Sequence, residues 1–153
     1  MQNIIWFRTD LRTQDNPALY AALTSKPKQQ VLAVFFISIE QWQQHGWGPN
    51  KIGFVLKSVL ALQEELAELN VKLDIISCPD FKSQVQELML YISKNNCNAL
   101  YYNAEYELNE RLRDEAIDKV LADKNIVNHK FHSQTLIEPG AILTQQKLSL
   151  IHI

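Results

Sequence analysis

A chain of 153 residues that is 46% hydrophobic and 21% charged has the composition of an ordinary soluble domain and enough length for one real core. Its net charge of -2, with no run of Lys and Arg, argues against a free-standing nucleic-acid binder, since duplex affinity comes largely from cations that neutralise phosphates. Cys78 and Cys97 are too few for a disulfide framework and lack metal-ligand spacing, and Arg8 and Asp10 cut the first apolar run too short for a signal peptide. A reduced, cytoplasmic setting with no membrane span is therefore expected.

The run Ile4-Ile5-Trp6-Phe7 predicts a first strand that feeds a loop carrying Arg8, Asp10, Arg12 and Asp15. Asn16-Pro17 is an N-cap and first-turn pair for a short helix through Leu23. Val31 to Ile37 is a near-continuous β-branched and aromatic run, which predicts a second strand covered on both faces. The segment from Ser38 to Asn50, rich in Trp, Gln and Gly, is expected to be a loop. From Lys51 the apolar positions Ile52, Val55 or Leu56, Val59, Leu62, Leu66 and Leu69 recur at steps of three and four, an amphipathic helix with Glu64, Glu65 and Glu68 facing water.

Val71 to Ile76 alternates enough to suggest an edge strand. Pro79-Asp80 then opens a helix with Phe81, Val85, Leu88, Met89 and Ile92 on one face. Ala99 to Tyr102 predicts a fourth strand, Leu108, Leu112, Ile117, Val120 and Leu121 a charged helix, and Ile126 to Phe131 a fifth strand. Alternating strands and helices with short connections give an α/β class: a doubly wound, five-stranded parallel sheet of Rossmann-like type, order 3-2-1-4-5, flanked by helices. The loops after strands 1, 2 and 4 then share one crevice, where ligands of open α/β sheets sit.

Two accounts suit the charged first loop: Arg8, Asp10 and Arg12 pair with one another to hold it, or they serve a ligand. The four glycines, Gly46, Gly48, Gly53 and Gly140, form no phosphate-cradling loop, because Gly46-Trp47-Gly48 is followed by Pro49 and lacks a third glycine in place. His129, His132 and Ser133 lie close in sequence but suit loop chemistry better than a catalytic set, so the metal and nucleophile readings are both weak and no metal site is expected. After strand 4, Glu105, Glu107, Asn109 and Glu110 precede Arg111, Arg113 and Asp114. Glu107-Arg111 and Arg111-Glu115 are expected as i,i+4 pairs on a helix. That leaves Asn109-Glu110, an amide beside a carboxylate in a first turn, able to meet a heterocycle offering an amino group and a ring N–H. His45 would face the same crevice, although a lone loop histidine is commonly just a surface residue.

With these residues assembled, the chain resembles the N-terminal domain of the DNA photolyase and cryptochrome family. Trp6-Phe7-Arg8-Thr9-Asp10-Leu11-Arg12 with Asp15-Asn16 is similar to that family's opening signature, and Tyr102-Asn103-Ala104-Glu105-Tyr106-Glu107 with Asn109-Glu110-Arg111-Arg113-Asp114 to its second. Gln41-Trp42 with His45, and Pro139-Gly140-Ala141, also fall in place. The pattern is most similar to bacterial cyclobutane pyrimidine dimer photolyases that carry a folate antenna.

The resemblance implies an antenna domain over residues 1–131, the start of an interdomain linker over 132–147, and a non-native tail over 148–153. It implies that His45, Asn109 and Glu110 bind 5,10-methenyltetrahydrofolate, with FAD, the lesion pocket and the basic DNA groove in a C-terminal helical domain missing from this chain. Damaged DNA would then be met only through that domain. The parent would be a light-driven deoxyribodipyrimidine photo-lyase, and this fragment alone would be inactive. Trp6, Trp42 and Trp47 are expected to be core and loop aromatics. The rivals are the same domain of a cryptochrome blue-light receptor and a stand-alone flavin or nucleotide electron-transfer module.

Overall fold

The computed structural model describes residues 2–137 together with Pro139 and Ala141. Five strands, β1 (Gln2–Phe7), β2 (Gln30–Ile37), β3 (Lys72–Ser77), β4 (Cys97–Asn103) and β5 (Val127–Phe131), form one sheet in the order β3-β2-β1-β4-β5. Every pairing is parallel, with Ile5 beside Ala33 on one side and Tyr101 on the other. The expected class and strand order are those observed. The linker and tail expected after residue 131 fall largely outside the described residues.

Five helices connect the strands: α1 (Pro17–Thr24), α2 (Ile39–Gln44), α3 (Pro49–Glu68), α4 (Phe81–Lys94) and α5 (Leu108–Asp123). Side chains alternate across the pleat, so β1 divides its apolar run between two cores. Ile5 and Phe7 join Ala33 and Phe35 under α1 and α3, with Leu19, Val59, Leu62 and Leu66. Ile4 and Trp6 join Val34 and Phe36 under α4 and α5, with Leu88, Ile92, Ile117 and Leu121. Ile4 to Phe7 are all essentially without exposed surface, and burying each such side chain stabilises the fold by about 1.5–3 kcal/mol.

The segment expected to be a loop between Ser38 and Asn50 is a correction, for it contains all of α2 and the start of α3. Apolar periodicity is a weak signal in a six-residue helix rich in Gln. Its stop signal was nevertheless present: Gly46 sits at φ +75°, a left-handed conformation that a residue without a Cβ adopts at no steric cost. The Gly46 N–H donates to the Gln43 carbonyl and the Trp47 N–H to the Trp42 carbonyl, each at 2.9 Å, which closes α2 as a Schellman turn. The apolar contact that accompanies such a turn is the stack of Trp42 on Trp47, 5.1 Å between ring centroids.

Candidate functional site

At the carboxyl end of the sheet lies a cleft of about 650 Å³. The segments after β1, β2 and β4 all contribute to it, through Arg8 and Thr9, through Trp42 to Lys51, and through Glu105 to Glu110. The single crevice expected from the strand order is therefore present. Phe54, Val55 and Ser58 of α3 and Phe81 and Gln84 of α4 complete the wall.

The floor is a buried charge network. Arg8 Nη1 donates to Asp114 Oδ1 at 3.0 Å, and Arg8 Nη2 donates to the Asn103 carbonyl. Arg113 Nη2 donates to Glu105 Oε2 at 2.8 Å and to Asp114 Oδ1 at 3.0 Å. Both guanidinium groups also lie against ring faces, Arg8 at 4.5 Å from Trp6 and Tyr102, Arg113 at 4.6 Å from Trp6 and 4.8 Å from Phe81. Contacts of this kind hold a buried cation through the ring quadrupole. Burial pushes the Glu105 carboxyl up, but the charges of Arg8 and Arg113 and the hydrogen bonds from Thr9 and Arg113 outweigh it and hold the group below the usual carboxylate range.

This network removes one of the two accounts of the first loop and corrects one expectation for α5. Arg8, Asp10 and Arg12 do not pair with one another through their side chains. Asp10 accepts from the Arg8 backbone N–H at 2.9 Å and from Asn103 Nδ2 at 2.6 Å, while Arg12 donates to the Asp15 carbonyl. Asp114, which holds Arg8, and Asn103, which holds Asp10, come from across the sheet, and sequence spacing cannot show them. Among the described residues neither Glu107-Arg111 nor Arg111-Glu115 is an ion pair. In α5 the salt-bridging arginine is Arg113, turned inward to Glu105 and Asp114.

The mouth of the cleft holds the three residues singled out as ligand contacts. His45 is the C-cap of α2, set there by the turn at Gly46. Asn109 and Glu110 stand in the first turn of α5, and Asn109 Nδ2 lies 3.3 Å from His45 Nε2. Glu110 is half-buried and among the described residues accepts no hydrogen bond and forms no ion pair. Gln41 and Phe81 were not singled out for this site. Gln41 Nε2 is 2.9 Å from His45 Nε2, and the His45 ring meets Phe81 edge-on at 5.8 Å. The helical period assigns Phe81 to a core face with Val85, Leu88, Met89 and Ile92, but at the first position of α4 it lines the cleft instead.

Among the described residues no group of three or more His, Cys, Asp and Glu could hold a metal, and no helix is long and apolar enough to cross a membrane. Cys78 and Cys97 are both buried and free. Burial pushes the Cys97 thiol up to about 11. Trp6 and Trp42 are core side chains, and Trp47 packs on that core from the cleft wall.

Strand order and cleft together define a doubly wound α/β domain whose crevice lies at the point where the strand order reverses, the place where open α/β sheets take their ligands. The chain belongs to the DNA photolyase family, whose family model matches residues 3–152. It is 34% identical over 145 residues to the deoxyribodipyrimidine photo-lyase of Buchnera aphidicola subsp. Acyrthosiphon pisum, a match covering 95% of this chain and 30% of that one. The crystal structure of an archaeal photolyase from Sulfolobus tokodaii with two FAD molecules superposes with a TM-score of 0.76 at 26% identity, over 95% of this chain and 32% of that chain. A Synechocystis cryptochrome superposes with a TM-score of 0.75 at 25% identity, over 86% and 27%. The chain spans about 30% of the length of the curated relatives it matches.

Proposed function

We propose that this domain is the light-harvesting part of a deoxyribodipyrimidine photo-lyase and that its cleft holds 5,10-methenyltetrahydrofolate. The observation that carries the reading is the half-buried Glu110 carboxylate, without a partner among the described residues, at the mouth of an aromatic-walled cleft beside Asn109 and His45. A pterin offers a 2-amino group and a ring N–H side by side, and one carboxylate can accept both. Asn109 adds a donor and an acceptor. Trp47, Phe54 and Phe81 supply the apolar surface that such sites use to cover a flat ring.

When bound, the pterin supplies absorption of near-ultraviolet and blue light and passes the energy to a reduced flavin elsewhere in the protein. The whole protein then splits cyclobutane pyrimidine dimers in DNA, in the cytoplasm, with flavin and damaged DNA held by a C-terminal helical domain. A flavin in this cleft is the second reading, favoured by the two FAD molecules in the Sulfolobus tokodaii relative.

The test is retention of chromophore by the 153-residue chain. After incubation with 5,10-methenyltetrahydrofolate or with FAD and removal of the unbound fraction, the folate band in the near-ultraviolet is expected to remain and the flavin band to be lost. Glu110→Gln places an amide donor against the pterin's donors while keeping the size of the side chain. It is expected to weaken folate binding by roughly ten- to a hundredfold, the equivalent of one charge-assisted hydrogen bond. Retention of FAD alone would replace folate with flavin. Unchanged folate affinity in Glu110→Gln would reduce Glu110 to a first-turn carboxylate.

A further inference from the structure

We propose that Gln41 is a positioning residue that fixes the imidazole of His45 with its proton on Nδ1, so that Nε2 is the acceptor shared by the side-chain amides of Gln41 and Asn109 at the cleft mouth. The chain of reasoning begins at the start of α4. The Phe81 backbone N–H has no acceptor inside its own helix, as for any residue of a first turn, and it donates to Gln41 Oε1 at 3.3 Å. An amide N–H can only donate, so the carboxamide of Gln41 has one orientation: oxygen toward α4 and Nε2 toward His45. Gln41 Nε2 then lies 2.9 Å from His45 Nε2. An NH2 group can only donate, so this ring nitrogen must be the acceptor and the proton of the neutral ring must sit on Nδ1.

The second contact agrees with the first. Asn109 Nδ2 approaches the same nitrogen at 3.3 Å, again as a donor, from an element 64 residues along the chain. The edge-on contact with Phe81 restricts rotation of the ring out of this arrangement. A free imidazole favours the proton on Nε2, so Gln41 reverses the intrinsic preference. One side chain therefore joins the orphan N–H of α4, the C-cap of α2 and, through His45, the first turn of α5, three elements that form the cleft mouth. The effect on ligand affinity rests on the folate reading above; the tautomer does not.

The experiment has two arms. Nitrogen-15 NMR of the uniformly labelled chain without ligand distinguishes protonated from bare ring nitrogens, and the His45 signals are those lost in His45→Gln. The wild-type ring is expected to show a bare Nε2 and a protonated Nδ1. Gln41→Glu keeps the acceptor for the Phe81 N–H but presents an oxygen to His45, so Nε2 is expected to gain a proton. Gln41→Met, with no donor, leaves the longer Asn109 bond alone to hold the ring and is expected to shift the population toward Nε2–H. A wild-type Nε2 that carries the proton, or a Gln41→Glu spectrum identical to wild type, would overturn the proposal. In the second arm 5,10-methenyltetrahydrofolate is titrated into the same proteins, and Gln41→Glu is expected to bind roughly tenfold more weakly. Unaltered affinity despite a changed tautomer would overturn the positioning role. If wild type takes up no folate, the folate reading fails, and the NMR arm still decides the tautomer.

Discussion

At the scale of single residues the cleft divides into a buried floor and a polar mouth. Glu105 on the floor ties pH to stability. Because Arg8 and Arg113 outweigh its burial, its carboxyl ionises in the folded chain at lower pH than in the unfolded chain, where the ordinary value is about 4.3. The unfolded state therefore takes up the proton first as pH falls. The stabilisation is fully present above about 4.3 and is lost as pH drops through the folded-state value. Glu105→Gln is expected to lower stability by about 3 kcal/mol at neutral pH, the low end for a broken buried pair because Asp114 still holds Arg113. Urea unfolding at stepped pH should also show a flatter acid limb in the variant, and an unchanged limb would mean that other carboxylates set it. Much of the floor was illegible in the sequence. Arg8 and Asp114 are 106 positions apart, and which arginine of α5 turns inward depends on strand positions that periodicity does not supply. Glu110 stood out earlier because its neighbours on α5 left it unexplained.

At the scale of elements, the helix ends carry a signal that periodicity alone passes over. Asn70, Asn96 and Asn125 each follow the C-cap of a helix and have φ near +55°, at 57°, 51° and 54°. In α3 the Val71 N–H donates to the Leu66 carbonyl and the Asn70 N–H to the Ala67 carbonyl, and in α5 Ile126 and Asn125 repeat the pattern to Leu121 and Ala122. These are the same Schellman turns that close α2 at Gly46, with Asn as the left-handed residue. Each aims the chain straight into the next strand. Asn70→Val is expected to destabilise the fold by roughly 1–2 kcal/mol, because a β-branched residue is strained in this conformation, whereas Asn70→Gly should be near neutral. Thermal unfolding of the pair separates backbone strain from loss of the asparagine side chain. Long helices and strands were legible because they bury regular stripes. The six-residue α2 was not, although Gly46 and Pro49 marked its end and the next helix's start.

At the scale of the molecule, two apolar side chains at the cleft mouth remain uncovered: Phe54 is 72% exposed and Leu108 is 69% exposed, with Leu112 a turn further along α5 at 55%. Apolar surface gathered at the rim of a site favours association. Light scattering across a concentration series is expected to show self-association that Phe54→Ser with Leu108→Ser reduces. A chain that stays monomeric at high concentration and binds no hydrophobic dye would remove that expectation. Strand order was legible because an alternating pattern of strands and helices leaves few topologies that keep crossovers right-handed. The same order has a consequence for synthesis. β1 is the first strand made, yet it lies between β2 and β4, and Asn3 waits for Ala99 to be its neighbour. At about 5–20 residues per second a ribosome needs roughly 5–20 s to make the intervening chain. The most completely buried segment of the finished fold, Ile4 to Phe7, is thus the one left longest without its partner strand. Arg8, Asp10 and Arg12, which immediately follow it, stand where charged gatekeepers keep a nascent apolar strand from pairing with another chain.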